Sequence, residues 1–197
     1  NLICKRRILQ YETGYYKRKE EEYMLGTGLI HVYYGDGKGK TTAAVGQAVR
    51  AAGAGLRVLF FQFMKDNTSN ERQILEKIPN VTCLPGKRHM KFYNQMNKEE
   101  KAEYRRYNTK ALDEIGKFCV NFDLLVLDEA VCAADLELLS EKKLIDFLRH
   151  KPRGLEVIMT GHHVSDAIFN EADYVTEMTK VKHPYDKGRT AREGIEF

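Results

Sequence analysis

The stretch that decides the fold is Gly35-Asp36-Gly37-Lys38-Gly39-Lys40-Thr41-Thr42. A β-branched and aromatic run precedes it at residues 29–34, and an Ala- and Val-rich run with helical spacing follows at residues 41–52. A glycine-rich loop between a strand and a helix is typical of a P-loop, because backbone N–H groups and the helix N-terminus converge on phosphate oxygens. We therefore predict a phosphate-binding loop in which Lys40 neutralises phosphate and the Thr41 hydroxyl binds Mg²⁺.

The loop departs from the usual P-loop pattern at its first position, where Tyr34 replaces a glycine. We expect a tight variant of the loop that holds phosphates differently from the loop of a hydrolase. No sequence motif places an Asp or Gln that would activate a water or a hydroxyl, as kinases and GTPases require. This pattern favours a reaction other than phosphoryl transfer, without deciding the question.

A second motif is the apolar run at residues 124–127 followed by two acids, Asp128 and Glu129. Such a strand is the usual partner of a P-loop, since a carboxylate at its end can reach Mg²⁺ directly or through water. His162 and His163 are adjacent and lack the i, i+4 spacing of helical metal ligands, so we expect them in loop or supporting roles. The two acids are therefore the candidate metal contacts.

Strand and helix patterns alternate along the rest of the chain. This alternation is typical of βαβ units and predicts an α/β fold, a mostly parallel sheet with helices on both faces. The ligand should lie at the carboxyl ends of the strands. Further strands are predicted at residues 57–63, 122–127, 155–159 and 173–176, helices at residues 69–77, 97–120 and 140–149, and a short closing strand at the C-terminal end.

The composition is that of an ordinary globular domain, with 197 residues, 43% of them hydrophobic and 30% charged. No apolar run approaches the roughly 20 residues that a membrane span needs. The net charge of +4 is too small and too scattered for a nucleic-acid-binding surface. Four widely separated cysteines indicate reduced thiols, so we expect a cytoplasmic protein without a disulfide frame or a zinc site.

The N-terminal extension, residues 1–27, lacks a sustained hydrophobic period and contains the charge run Lys17–Glu22. Its basic residues at positions 5–7 are followed too soon by polar residues to begin a secretory signal. We expect a solvated helix or a disordered arm, and an alternative is that the native protein starts at Met24. The sequence thus divides into this extension and a P-loop domain at residues 28–197.

Together these motifs resemble the ATP:corrinoid (cob(I)alamin) adenosyltransferase family of the P-loop type. The resemblance runs in one register over about residues 28–197, and its C-terminal part is highly specific. The matching segments are residues 35–44 (GDGKGKTTAA), 50–55 (RAAGAG), 62–63 (QF), 127–129 (LDE), 160–161 (TG), 172–173 (AD), 175–178 (VTEM), 182–184 (KHP) and 194–197 (GIEF).

The resemblance implies transfer of the 5′-deoxyadenosyl group of ATP to the cobalt of a reduced corrinoid, with release of triphosphate. It also implies a RecA-like architecture in which the phosphate chain lies in reverse along the loop, so that the loop holds the leaving group. Cobalt(I) has no proton to lose, and a general base is therefore not needed. This agrees with the lack of a recognisable base motif.

The resemblance also assigns roles to residues. It implies catalytic roles for Lys40, Thr41 and Glu129. For Mg²⁺ or Mn²⁺ it implies contacts from Thr41 and from the acids, with Glu129 first and Asp128 second, because the metal-facing acid of the family follows the Asp. The implied ATP contacts are Gly35, Asp36, Gly37, Lys38, Gly39, Lys40, Thr41, Thr42 and Arg50.

Two positions depart from the family pattern. Where the family often has Phe-x-Trp facing the corrinoid, this chain has Phe92-Tyr93-Asn94 and no Trp at all. Phe92 keeps the first aromatic position, and Tyr93 is the candidate for the second. Where the family has Thr-Gly-Arg, this chain has Thr160-Gly161-His162, so a ligand contact by that Arg does not transfer.

The implied partners are ATP, a corrinoid and an electron-donating flavoprotein reductase, and the resemblance implies a homodimer. It also implies that the N-terminal extension can cover the corrinoid, through Tyr11, Tyr15 and Tyr16. No membrane or nucleic-acid partner is expected. Two alternatives stay open at this point. One is a small P-loop kinase or NTPase, which would release ADP or phosphate, and the other is a non-catalytic, nucleotide-gated corrinoid-binding protein.

Overall fold

The computed structural model describes residues 26–88, 91 and 93–196. Their strands form one six-stranded sheet in the order β3-β2-β4-β5-β1-β6, and every pairing is parallel. Residues 1–25 of the predicted N-terminal extension lie outside the described residues. The strands are β1 Ile30–Tyr34, β2 Val58–Gln62, β3 Val81–Cys83, β4 Leu124–Asp128, β5 Glu156–Thr160 and β6 Tyr174–Glu177.

Helices connect the strands, and short 3₁₀ turns lie at Tyr93–Gln95, Cys119–Asn121 and Pro184–Lys187. The predicted start of the longest helix is confirmed, since Asn97 Oδ1 accepts from the Glu100 backbone N–H and the Glu100 carboxylate accepts from that of Asn97, each at 2.9 Å. The α-helices are α1 Lys40–Gly53, α2 Asn70–Leu75, α3 Lys98–Phe118, α4 Ala130–Asp135, α5 Glu141–His150 and α6 Asp166–Phe169.

Apolar clusters cover both faces of the sheet. On one face the small residues Ala44, Ala48 and Ala51 of α1 pack against Val126 and Ile158. On the other face α3, α4 and α5 pack over a larger cluster. Successive strand residues point to opposite faces, so the central strands contribute to both clusters. The predicted α/β fold with helices on both faces is confirmed, and the sheet is parallel throughout.

The strand order brings the two sequence motifs to one edge of the sheet. β1 leads into the glycine-rich loop, β4 ends at Asp128, and β5 lies between them. This order fits the RecA-like P-loop architecture that the resemblance implies. Because the strands are parallel, the loop, the acids and the end of β2 all lie at the carboxyl edge.

The structure also corrects some predictions. The closing strand is wrong, because residues 193–196 form a turn. Ser69 stands at the N-cap of α2 as predicted but makes no side-chain cap, since its Oγ donates to Gln62 Oε1 at 2.7 Å. Three short elements, β3, α4 and α6, were not predicted. No helix among the described residues is long and apolar enough to span a membrane.

Candidate functional site

The glycine-rich loop is a tight turn from β1 into α1. Gly35 and Gly39 have φ values of +114° and +117°, which side chains rarely tolerate. Gly39 is the N-cap residue of α1, so the free N–H groups of the first helical turn begin directly after it. Residues 35–42 thus form a concave loop at a helix N-terminus, here called the bowl. Such a site favours anions.

Lys40 is folded into this bowl. Its side chain is buried, and Nζ donates to the backbone carbonyls of Gly35 and Gly37, each at 2.7 Å. The ammonium is thus fixed by the carbonyl groups of the loop itself. Lys40 therefore packs against the loop backbone and belongs to neither apolar cluster.

Residues 178–180, which follow β6, extend the hydrogen bonds between β6 and β1 along the glycine-rich loop. The Met178 backbone donates to Tyr34 O at 2.7 Å and accepts from the Gly37 N–H at 2.6 Å. Asp36 Oδ1 accepts from the Lys180 backbone N–H at 2.8 Å, and this bond lowers the pKa of Asp36. The shape of the loop therefore depends on a segment far away in sequence, which the motif alone does not reveal.

Gly37→Ala is expected to weaken nucleotide binding by at least about tenfold, because the loop must shift away from Met178. A Cβ at Gly37 would lie 2.6 Å from Met178 O. The measurement is equilibrium binding of Mg·ATP. Gly46→Ala is the matched control, because a Cβ there meets nothing within 4 Å and helix propensity favours alanine. Wild-type affinity in Gly37→Ala would contradict a dependence of the loop on its contact with Met178.

A cavity of about 290 Å³ lies over the loop. The loop contributes the cations Lys38 and Lys40 to its lining, and the C-terminal residues contribute Arg189 and Arg192. Four cations and two acids, Asp36 and Glu196, thus line the cavity, and the excess of positive charge suits an anion such as a phosphate chain. The lining residues are Asp36, Gly37, Lys38, Gly39, Lys40, Thr41, Thr42, His162, His183, Pro184, Tyr185, Arg189, Thr190, Ala191, Arg192, Ile195 and Glu196.

Arg192 and Glu196 form a two-point ion pair in the lining of this cavity. Arg192 Nη2 lies 2.9 Å from Glu196 Oε1, and Nε lies 3.2 Å from Oε2. The hydrogen bond from Arg192 lowers the pKa of Glu196 to about 2. Both groups are therefore ionised at neutral pH and balance each other, and the direction of the arginine is fixed by its own acid.

Asp128 is fully buried and accepts four hydrogen bonds. Its Oδ1 accepts from Thr41 Oγ1 at 2.9 Å and from Thr160 Oγ1 at 2.7 Å. Its Oδ2 accepts from Gln62 Nε2 at 3.1 Å and from Lys65 Nζ at 2.9 Å. A carboxylate has about four lone-pair positions, so these donors occupy the acid completely.

Glu129 stands at the turn from β4 into α4. Its φ of +60° is left-handed, and its backbone N–H donates to Thr160 Oγ1 at 2.8 Å. Burial and then the Asp128 carboxylate raise the pKa of Glu129, while the ammonium groups of Lys65 and Lys40 oppose that rise. The acid therefore lies within electrostatic reach of the loop lysine.

The oxygen atoms around Thr41 suit a small, hard cation that arrives with a nucleotide. Mg²⁺ is usually bound by one or two protein oxygens together with substrate phosphates. Thr41 donates its hydroxyl hydrogen to Asp128, which leaves the lone pairs of Oγ1 for a cation. Within residues 26–88, 91 and 93–196, no group of three or more His, Cys, Asp or Glu could hold a metal by itself. The residues thus fit a cation shared with phosphates.

His162 occupies the position where the family pattern has arginine. It lines the cavity, and its backbone carbonyl accepts from the Gly35 N–H at 3.0 Å. Burial and then the Lys40 ammonium lower the pKa of His162, so its ring is neutral at pH 7. The position therefore still faces the ligand cavity, with a hydrogen-bonding ring in place of a permanent cation.

The structure brings most, not all, of the predicted site residues together. The loop residues 36–42 line one cavity, and Asp128 is bonded to Thr41, although neither Asp128 nor Glu129 lines that cavity. Arg50 is exposed in the last turn of α1, a rise of about 15 Å along the helix from Lys40, and does not line the cavity. Phe92 lies outside the described residues, and Tyr93 is half-buried below Lys101 Nζ, 3.8 Å from its ring centre.

The sequence analysis gave no role to Gln62 and Lys65, which bond to Asp128. It also gave none to Glu71, which bonds to both of them. Gln62 lies directly opposite Asp128 in the register of β2 and β4, and it donates to Glu71 Oε1 at 2.8 Å. The sequence did offer a signal for Gln62, because a polar residue ends an otherwise apolar strand there. Lys65 follows three positions later in a loop and carried no such signal.

A family model described as ATP:corrinoid adenosyltransferase BtuR/CobO/CobP matches residues 26–197. A corrinoid adenosyltransferase of Escherichia coli K12 is 32% identical over 177 residues, which cover 86% of each chain. The corrinoid adenosyltransferase CobA of Salmonella typhimurium is 34% identical over 174 residues, again 86% of each chain. Among solved structures, domain III of the replication initiation protein DnaA from Thermotoga maritima matches with a TM-score of 0.33 and 13% identity, over 90% of this chain and 61% of that one.

Proposed function

The chain belongs to the ATP:corrinoid adenosyltransferase family, and on that premise we propose that it transfers the 5′-deoxyadenosyl group of ATP to cobalt(I) of a corrinoid. The observation that carries the proposal is the cation-lined cavity over the loop, in which Lys40 is held by two loop carbonyls. Such a cavity binds a chain of phosphates firmly, as a triphosphate leaving group requires.

In the proposed reaction the electron pair of cobalt(I) forms a bond to the C5′ atom of ATP. The C5′–O5′ bond breaks, and its electron pair leaves with triphosphate. No proton is transferred, so the site needs no general base. What it needs is stabilisation of the charge that develops on the leaving oxygen, and Lys38, Lys40 and the free N–H groups at the start of α1 would supply it.

We propose that Mg²⁺ or Mn²⁺ accompanies the phosphates and is held by Thr41 Oγ1 and the Glu129 carboxylate. When bound, this cation adds positive charge at the leaving triphosphate. The hydrogen bond from Thr41 to Asp128 supports this division of roles, because it turns the lone pairs of Oγ1 away from Asp128. Asp128 then positions Thr41, while Glu129 supplies the direct contact.

A phosphoryl-transfer alternative has one observation in its favour. Glu129 combines a raised pKa with a place beside the P-loop, and these are properties of a general base. A hydrolase or kinase would form ADP or phosphate without a corrinoid. The two functions are therefore separated by their products.

The direct experiment is anaerobic incubation of the full chain with ATP, Mg²⁺ and chemically reduced cobalamin. We expect the absorption spectrum of cobalt(I) to be replaced by that of an alkylated corrinoid, only when ATP and protein are both present. A reaction without ATP serves as the control for spontaneous oxidation. An unchanged corrinoid beside accumulating ADP would contradict the proposal and favour the phosphoryl-transfer alternative.

We further propose, on the family resemblance, a cytoplasmic homodimer that receives its electron from a flavoprotein reductase. Burial raises the pKa of Cys119 to about 11 and that of Cys132 to about 12, which keeps both thiols protonated and unreactive. Sedimentation or light scattering of the full chain measures the oligomeric state.

The activity of Phe92→Ala is expected to be more than about tenfold below that of the wild type when a protein reductant supplies the electron. The proposed reason is that Phe92 displaces the lower axial ligand of cobalt, which eases reduction to cobalt(I). With cobalt(I) prepared chemically, the variant should stay largely active. Phe169→Ala, at an exposed position of α6, is the control. Equal defects in both assays with an unchanged melting temperature would contradict axial-ligand displacement.

A further inference from the structure

Lys65 reaches the buried acid from a strained turn. Beyond β2, Met64 has a φ of +56°, a left-handed value that is unfavourable for a residue with a side chain. This turn directs Lys65 back to the sheet, where Nζ lies 2.9 Å from Asp128 Oδ2 and 3.2 Å from Glu71 Oε1. Strain of this kind persists where the surrounding structure holds it, and such places are often functional.

The ammonium completes the hydrogen-bonding of Asp128. With Gln62 on the same oxygen and two hydroxyls on the other, the carboxylate has no lone-pair position left for a direct contact with a cation. The positive charge of Lys65 also balances a buried negative charge that would otherwise attract a divalent ion. Burial alone would lower the pKa of Lys65, but Asp128 and Glu71 raise it, so the charge is permanent at neutral pH.

We propose that Lys65 is a positioning residue of the adenosyl-transfer site, which acts through Asp128. By occupying Asp128, it keeps that acid as the holder of the Thr41 hydroxyl and reserves cation binding for Glu129 and the nucleotide phosphates. The inference rests on the proposed function for its place in the reaction, but its consequences for ATP and cation binding are independent of the corrinoid.

Removal of the Lys65 charge should move two binding constants in opposite directions. Without Lys65, Asp128 has a free lone-pair position and an unbalanced charge, so the nucleotide-free protein should attract a divalent ion more strongly. The same extra negative charge should weaken the binding of the anionic Mg·ATP complex. A merely structural defect would weaken both.

The test measures Mn²⁺ binding to the nucleotide-free protein by electron paramagnetic resonance and Mg·ATP binding by calorimetry. We expect Lys65→Met to bind Mn²⁺ at least about tenfold more tightly and Mg·ATP at least about tenfold more weakly than the wild type. Lys65→Arg, which keeps the charge, should stay within about fivefold in both titrations. Lys77→Met changes the net charge by the same amount, but at an exposed lysine, and should change neither binding constant.

The double variant Lys65→Met/Asp128→Asn tests whether the effect passes through Asp128. If it does, the gain in Mn²⁺ binding disappears in the Asp128→Asn background, because the two changes act on one interaction. Parallel losses of both ligands, unchanged constants, or an equal gain in that background would each overturn the proposal. Should Lys65→Met fail to fold, Lys65→Gln, which keeps a donor without the charge, is measured in the same way. A wild type that binds Mg·ATP but alkylates no corrinoid would refute the proposed function and leave this test standing.

Discussion

Lys40→Ala abolishes adenosyl transfer, with an expected fall in kcat of about a thousandfold, while the fold is retained. Lys40 is held at 2.7 Å from two loop carbonyls, at the centre of the anion-binding bowl. The leaving triphosphate loses its best-positioned cation in this variant, and no other described lysine is placed inside the bowl. Turnover with chemically reduced cobalamin measures the effect.

Two comparisons make this result specific. Lys38→Ala removes an exposed lysine of the same cavity and should cost far less, about tenfold. A melting curve of Lys40→Ala separates loss of chemistry from loss of fold. Turnover of Lys40→Ala within a few-fold of the wild type would remove this lysine from the mechanism.

Glu129→Gln is expected to lower turnover by about a hundredfold at cellular Mg²⁺ and to raise the Mg²⁺ concentration needed for half-maximal activity. The amide keeps the size of the side chain but removes the charge that we assign to the cation. Melting should change little or improve, because burial already disfavours the charged form of Glu129. The measurement is a titration of activity with Mg²⁺ at saturating ATP.

Glu99→Gln, which neutralises an exposed acid at the start of α3, is the matched control and should leave the Mg²⁺ titration unchanged. A wild-type Mg²⁺ dependence in Glu129→Gln would overturn the assignment of the cation contact. In that case Asp128, which the resemblance implies as the second choice, would have to exchange one of its four donors for the cation.

A helix or strand was predictable where its residue pattern was long enough to show a period, a cap or a glycine turn. The run at residues 29–34, the loop that follows it and the long helix after Asn97 each carry a clear signal of period, capping or glycine placement. β3 has three residues and α6 has four, too few for a period to emerge. In α4, residues 130–134 are apolar on every side and buried, so their pattern does not distinguish helix from strand.

The site was predictable at the loop and at the acids, because these motifs are contiguous in sequence. Lys65 and Asp128 lie 63 positions apart, and Asp36 and Lys180 lie 144 apart, so the sheet topology alone brings each pair together. The Arg50 contact stays a prediction. Its assignment came from the resemblance, whereas the rise of α1 carries Arg50 away from the loop.

In the proposed mechanism the loop holds a triphosphate leaving group while C5′ is transferred. It is tested most directly by counting products in one anaerobic reaction, with the phosphorus products separated by chromatography and the corrinoid followed by its spectrum. The proposed mechanism predicts one triphosphate released for each corrinoid alkylated, and no triphosphate when the corrinoid is omitted. Formation of ADP and phosphate in place of triphosphate, with the corrinoid unalkylated, would contradict it.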